Sequence, residues 1–343
     1  MKNTTFLDAC RRGEPEHSPV WFMRQAGRYL PSYRRLKGQQ NIMDIVKDPE
    51  LASDVAVDAV KALGVDAGII FADIMVPLES IGVKFKIEEN VGPVVSHPIH
   101  SLEDVTALGN LDSKEDLPYV LGGIRSTVAK LDDAVPLIGF SGAPFTLAAY
   151  LIEGGPSRNL EKTKTIIYSR PDVWEALMRK LTDTVKDYLV AQVDCGVSAV
   201  QLFDSWVGCL AAEDYARFVS AYTKEIFSSV SGVPRIHFCA DSSPLVEEFH
   251  ATGADVLSVD WRVPLVDVWR RCSEETAVQG NLDPVVASVG GSAMRTRVAD
   301  ILEGARGHKG HIFSLGHGVL QNTNPESLRQ VVEMVHSRTR SRR

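Results

Sequence analysis

Arg24, Arg28, Arg34, Arg35 and Lys37 all fall in the run WFMRQAGRYLPSYRRLKGQQN, and no acidic residue stands between Ser18 and Met43. In a chain of formal net charge -7 this local inversion describes a site for a polyanion. Guanidinium groups take carboxylate or phosphate oxygens in a planar, bidentate fork. Arg24 and Arg28 sit four apart, just beyond the apolar run at residues 20–23, while Gly27 and Pro31 argue against one regular helix through them. The segment therefore reads as a strand end opening into a loop that presents its arginines. Met23, Gln25, Ala26 and Gly27 are poor choices for a merely solvated basic turn.

Polar residues recur after other apolar runs: Asp73 in IIFADI, Ser141 and Gly142 in GFSGAPFTL, Asp204 and Ser205 in QLFDSW. His237 and Cys239 follow in HFC, then Asp260, then Asn281 and Asp283, then His317 in SLGHG. A lone Asp or Ser at such a point is ordinarily a helix cap or turn residue. Recurrence after most of the runs is what suggests chemistry.

The runs themselves predict buried strands at residues 20–23, 67–71, 135–140, 199–203, 235–239, 256–259, 276–279 and 312–315. Helical patterns lie between most of them, at residues 49–63, 117–131, 171–194, 212–230, 243–252, 294–304 and 325–336. Pro171 and Pro325 suit first-turn positions, and Gly64, Gly196 and Gly253 suit helix stops. Such alternation predicts an α/β fold, a single-domain (β/α)8 TIM barrel over residues 1–343, whose chemistry belongs at the carboxyl ends of the strands. Period-two alternation over residues 83–97, around Asn90 and Gly92, predicts a β-hairpin inserted after strand two. An open doubly wound sheet is the competing architecture, but no GxGxxG follows the first strand and no GxxxxGK[ST] occurs.

With 343 residues, 44% apolar and 24% charged, the chain has the composition of an ordinary globular protein with a large core. Its overall acidity argues against nucleic acid as the main partner, and the basic tail at residues 338–343 reads as a frayed end. The amino-terminal residues lack the apolar core of a signal peptide, and no run has the length of a membrane span, so a cytoplasmic protein without a membrane partner is expected. Five dispersed cysteines, at 10, 195, 209, 239 and 272, suit reduced thiols.

PVWFMRQAGRYLPSYR, IIFADIMVPLESIGV, GFSGAPFTLAAYLIEGG, VQLFDSW and LGHGV, in this order and spacing, resemble the uroporphyrinogen decarboxylase family over essentially the whole chain. MRQAGRYLP is the most specific stretch. The resemblance implies a (β/α)8 barrel acting as a homodimer without metal or organic cofactor. It implies removal of the four acetate carboxyl groups of uroporphyrinogen III, giving coproporphyrinogen III for the haem pathway. The implied catalytic residues are Asp73, Arg24 and Arg28. The implied substrate-binding set is Arg24, Gln25, Ala26, Gly27, Arg28, Phe71, Asp73, Tyr150, Phe203, Ser205 and His317. Lys37 stands where many members have a further arginine. On this reading Asp73 accepts the pyrrole N–H groups of a domed macrocycle, Tyr150 and Ser205 hold carboxylates, His317 binds a carboxylate or assists proton delivery, and Phe71 and Phe203 wall the macrocycle.

Two other readings remain. His237, Phe238 and Cys239 resemble the HxC half of a zinc site in corrinoid-dependent methyl-transferases, with His317 near the third ligand's place. A barrel that binds a polycarboxylate without turning it over would need the arginines but not Asp73.

Overall fold

The computed structural model describes residues 3–88, 91–273 and 275–340, so Asn90 of the expected hairpin turn and residues 341–343 of the tail lie outside the described residues. In chain order the strands are β1 (Gly68–Ile69), β2 (Phe85–Glu88), β3 (Gly92–Val95), β4 (Leu137–Gly142), β5 (Ala199–Asp204), β6 (Arg235–Cys239), β7 (Val256–Val259), β8 (Ala277–Leu282) and β9 (His311–Leu315). β2 and β3 form the expected antiparallel hairpin, and the rest pair in chain order as one parallel seven-stranded sheet. β4, β7, β8 and β9 are buried throughout, as befits strands covered by side chains within and helices without.

The strand expected at residues 20–23 is reduced to one parallel bridge, Val20 with Phe313. Its backbone nevertheless reaches both neighbours. Phe313 N–H donates to Pro19 C=O (2.8 Å), Trp21 N–H to Phe313 C=O (3.3 Å), and Asp66 N–H to Val20 C=O (2.8 Å). This eighth stave closes the barrel between β9 and β1. It is short because Pro19 has no N–H and the N–H of Val20 goes to the Asp66 carboxylate at 2.7 Å instead of a ladder. That carboxylate also lies 3.2 Å from His17 Nε2 and 2.7 Å from Nε2 of His336, on the carboxyl-terminal helix Pro325–Thr339. Burial works to raise the Asp66 carboxyl, but the bonds from His17 and His336 outweigh it and hold it below its ordinary value.

Inside the barrel, Trp21 Nε1 donates to Gln279 Oε1 (2.8 Å), and Gln279 Nε2 donates to Gln201 Oε1 (3.0 Å) and Ser258 Oγ (2.7 Å). All four side chains are buried, so the interior is a packed polar layer and not a channel. Helices Pro171–Asp194 and Pro325–Thr339 carry proline in their first turn, as expected. The helix Pro144–Glu153 was not expected. Nearly all of it is buried, so it has no polar face to give a helical period. The hairpin docks on its end, with Val95 N–H donating to Gly154 C=O (2.8 Å). As expected, no helix runs through Arg24 and Arg28, and Pro31 ends that loop by opening the helix Pro31–Lys37.

Candidate active site

The carboxyl ends of the strands sort the polar residues into supports and a mouth. Ser141 is buried with its hydroxyl on Gly142 C=O (3.2 Å), and Asp283 caps the helix Pro284–Val289 by accepting from Val285 N–H (2.8 Å). Asp204 is fully buried and accepts from Thr146 Oγ1 (2.9 Å), and that hydroxyl also accepts from Trp206 N–H (3.2 Å). Thr146 lies one turn before Tyr150 on the helix Pro144–Glu153, so this bond fixes Tyr150 relative to the end of β5. Nothing in the sequence around Thr146 signals that role.

Arg24 organises the mouth. It has a left-handed backbone (φ 59°) and an exposed side chain, and it follows a stave whose last residues are buried. Its guanidinium charge acts on Asp73, Tyr150 and His317 together, which places four expected site residues in one electrostatic neighbourhood. Asp73 lies just past β1, half-buried, and its Oδ1 accepts from Met75 N–H (2.9 Å). The other oxygen makes no hydrogen bond among the described residues. Burial raises the Asp73 carboxyl, opposed by the Met75 N–H and the Arg24 charge. Tyr150 is also raised by burial, against the opposing bond to Trp206, whose ring it meets edge-on at 5.8 Å.

His317 accepts from Gly318 N–H through Nδ1 (2.7 Å), which assigns the neutral ring its proton on Nε2. Burial, reinforced by Arg24 and Arg262 against Asp260, pushes its pKa down to about 4. At neutral pH His317 is therefore a hydrogen-bond donor and not a stored acid. Beside it Phe238 meets His317 at 5.9 Å, Phe203 meets Phe238 at 5.7 Å, and Phe140 meets Phe203 at 5.3 Å, giving an aromatic wall across β4, β5, β6 and the end of β9. Phe71 packs instead against Tyr33 of the helix Pro31–Lys37, at 5.8 Å. Ser205 is half-buried at the end of β5.

Within the basic loop, Ala26 and Gly27 are partly exposed, and Gly27 C=O accepts from Leu30 N–H (2.9 Å) to make the turn. Arg28 Nη1 is 3.4 Å from Gln321 Oε1. Gln25 has its side chain engaged within the protein. Its side chain is buried, accepts from Phe22 N–H (3.2 Å) and donates to Ala67 C=O (3.1 Å), while its carbonyl takes the Tyr29 hydroxyl (2.6 Å). Its polar groups are spent fastening the loop to the barrel, and a glutamine between two arginines gives no sequence sign of that.

The HxC and His317 set of the rival zinc reading does not assemble. On β6 the outer residue His237 meets Phe227 (5.5 Å) and Phe249 (4.3 Å) of the helix layer, whereas Phe238 points inward to His317. Alternation along the strand puts His237 and Cys239 on the face opposite His317. Among the described residues, metal-ligand atoms gather in His17, Asp66 and His336, at the amino end of β1 and away from the mouth. There the carboxylate is already bonded to Val20 and both imidazoles.

Arg262 was missed by the sequence reading. It follows Asp260, which ends β7 and is fully buried, and it forms a 2.8 Å ion pair with that carboxylate. A basic residue two places beyond a strand-end aspartate was the available signal.

Residues 1–338 match the family described as Uroporphyrinogen decarboxylase (URO-D). The chain is similar to a uroporphyrinogen decarboxylase of Thermobifida fusca, 48% identical over 341 residues, covering 99% of this chain and 94% of the relative. A second, from Streptomyces coelicolor, is 46% identical over 339 residues, covering 98% and 95%. Among solved structures, a methyltransferase from Methanosarcina mazei superposes with a TM-score of 0.81 at 20% identity, covering 98% of each chain, which establishes the shared barrel fold alone.

Proposed function

The chain belongs to the uroporphyrinogen decarboxylase family, and we propose that its chemistry turns on Asp73. It is a carboxy-lyase of tetrapyrrole biosynthesis, removing carboxyl groups from uroporphyrinogen. The fuller proposal is that all four acetates of uroporphyrinogen III are processed to give coproporphyrinogen III. The pyrrole ring supplies the electron sink, so the reaction needs no metal or organic cofactor.

Protonation of a ring carbon makes the pyrrole cationic. The bond to the carboxylate then breaks, its electrons flow into the ring, and carbon dioxide leaves; the side-chain carbon takes up a proton in its place and the ring carbon releases the one it had gained, a net uptake of one proton. What the protein must do is hold eight carboxylates and stabilise a cation that exists only near the transition state. The observation that carries the reading is the Asp73 oxygen that makes no hydrogen bond among the described residues, on a carboxyl that feels the Arg24 charge and acts on Tyr150. Four pyrrole N–H donors converging there would favour the ionised carboxyl and dome the macrocycle over it.

Arg24 and Arg28 bind carboxylates, with Ala26 and Gly27 shaping their loop. Tyr150, Ser205 and His317 donate hydrogen bonds, while Phe203 and its aromatic neighbours, with Phe71 at the edge, meet the macrocycle's face. We place the enzyme in the cytoplasm as a homodimer. The free cysteines suit that compartment, and among the described residues no helix is long and apolar enough to cross a membrane. Anaerobic incubation of metal-stripped protein with chemically reduced uroporphyrin III, then separation by carboxyl number, tests the activity. Successive seven-, six-, five- and four-carboxyl products support it, and an unchanged octacarboxylate refutes it.

A further inference from the structure

We propose that Arg262 and His317 form a carboxylate-binding subsite at the mouth, tuned by Asp241. The subsite rests on the uroporphyrinogen reading above. Two close approaches place its parts. A Cβ on Gly316 would lie 2.5 Å from Trp261 N, so the end of β9 packs directly on the 260–261 backbone that leads into Arg262. A Cβ on Gly318 would lie 2.5 Å from Arg24 Cδ. His317 is thus flanked by Arg24 on one side and by the Arg262 loop on the other, and its Nε2–H makes no hydrogen bond among the described residues.

Arg262 is held as a binding residue would be. Asn281 Nδ2 donates to Asp260 C=O (2.8 Å) and Val263 C=O (2.5 Å), bracing the loop on both sides. Buried Asp260 accepts from Arg262 N–H (2.9 Å) and from Nη1 (2.8 Å), and the guanidinium lies over the Trp261 ring at 4.3 Å. The same Nη1 is 3.1 Å from Asp241 Oδ1. Nε and Nη2 make no hydrogen bond among the described residues, and the side chain is 46% exposed. Nη1 is therefore committed to aspartates while the rest of the fork keeps its donors, and the Arg262 charge acts on His317. A propionate or acetate carboxylate suits those donors. Asp260 is buried and structural, whereas Asp241 is exposed on a left-handed residue (φ 54°), and its negative charge opposes an incoming anion.

The test is the KM against kcat split for uroporphyrinogen. R262M is expected to raise KM about tenfold, the loss of one charge-assisted pair, with kcat within twofold and R262K in between. D241N, which keeps a residue tolerant of positive φ, is expected to lower KM severalfold, and that gain should vanish in the R262M background. If R262M fails to fold, R262K and D241N decide. An unmoved KM in folded R262M or R262K, or a D241N effect that persists without Arg262, overturns the subsite alone. A wild-type protein inert toward uroporphyrinogen overturns the parent reading, and the subsite with it.

Discussion

The side chain of Arg24 lies across Gly318, so closely that a Cβ there would sit 2.5 Å from Cδ and 2.9 Å from Cγ. The LGHG segment thus needs its second glycine to seat an arginine of the first loop. Gly318→Ala is expected to displace Arg24 and lower kcat/KM by about ten- to a hundredfold, in line with a misplaced charge-assisted contact. Steady-state kinetics beside a melting curve checks it. An unchanged kcat/KM would mean that Arg24 is not positioned there for function.

His317 stays neutral down to about 4, so kcat/KM should show no limb near pH 6.5 from this residue. His317→Gln keeps a side-chain N–H and should retain most activity, whereas His317→Ala should lose about tenfold, one hydrogen bond to a charged group. A pH–rate profile with an imidazole limb that disappears in the glutamine variant would show instead that His317 works as an acid.

The same shift has a cost in acid. His311, buried with Nε2 against Gly280 C=O (3.2 Å), is likewise pushed down to about 4, chiefly by burial. The unfolded chain takes up these protons near the ordinary 6.5, while the folded protein resists until about 4. Stability is therefore full above pH 6.5, falls between 6.5 and 4, and stops falling on this account below 4. Denaturant melts at pH 7 and pH 5 should differ less for His311→Gln than for the wild type.

Asp66→Asn should loosen the stave that closes the barrel. The buried carboxylate serves Val20 N–H, His17 and His336 at once, and breaking such a cluster costs roughly 3 kcal/mol. Because the cluster lies at the amino end of β1, kcat at a temperature where the variant stays folded should match the wild type. A loss of kcat without a loss of stability would place Asp66 in the chemistry.

The barrel was readable because its buried strands are short apolar runs separated by well-marked helices. The helices Pro49–Leu63 and Pro171–Asp194 run over the expected residues, since their prolines and caps mark the ends. Reading failed where burial removed the signal, as in the helix Pro144–Glu153. At the site, the charges of the first loop and the strand-end aspartates were visible as residue types. Direction was not. Gln25 turns inward, His237 faces the helices, and the Arg262 segment after β7 is met by Gly316 after β9, a contact between strands that are not neighbours in the sheet.

Asp73→Asn tests the central claim most directly. Asparagine can still accept from Met75 N–H, so the fold should hold. Loss of the negative charge beneath the cationic ring should lower kcat for the first decarboxylation about a thousandfold, near 4 kcal/mol. Anaerobic single-turnover assays measure it. A folded Asp73→Asn enzyme with near-normal kcat would contradict the proposed mechanism outright.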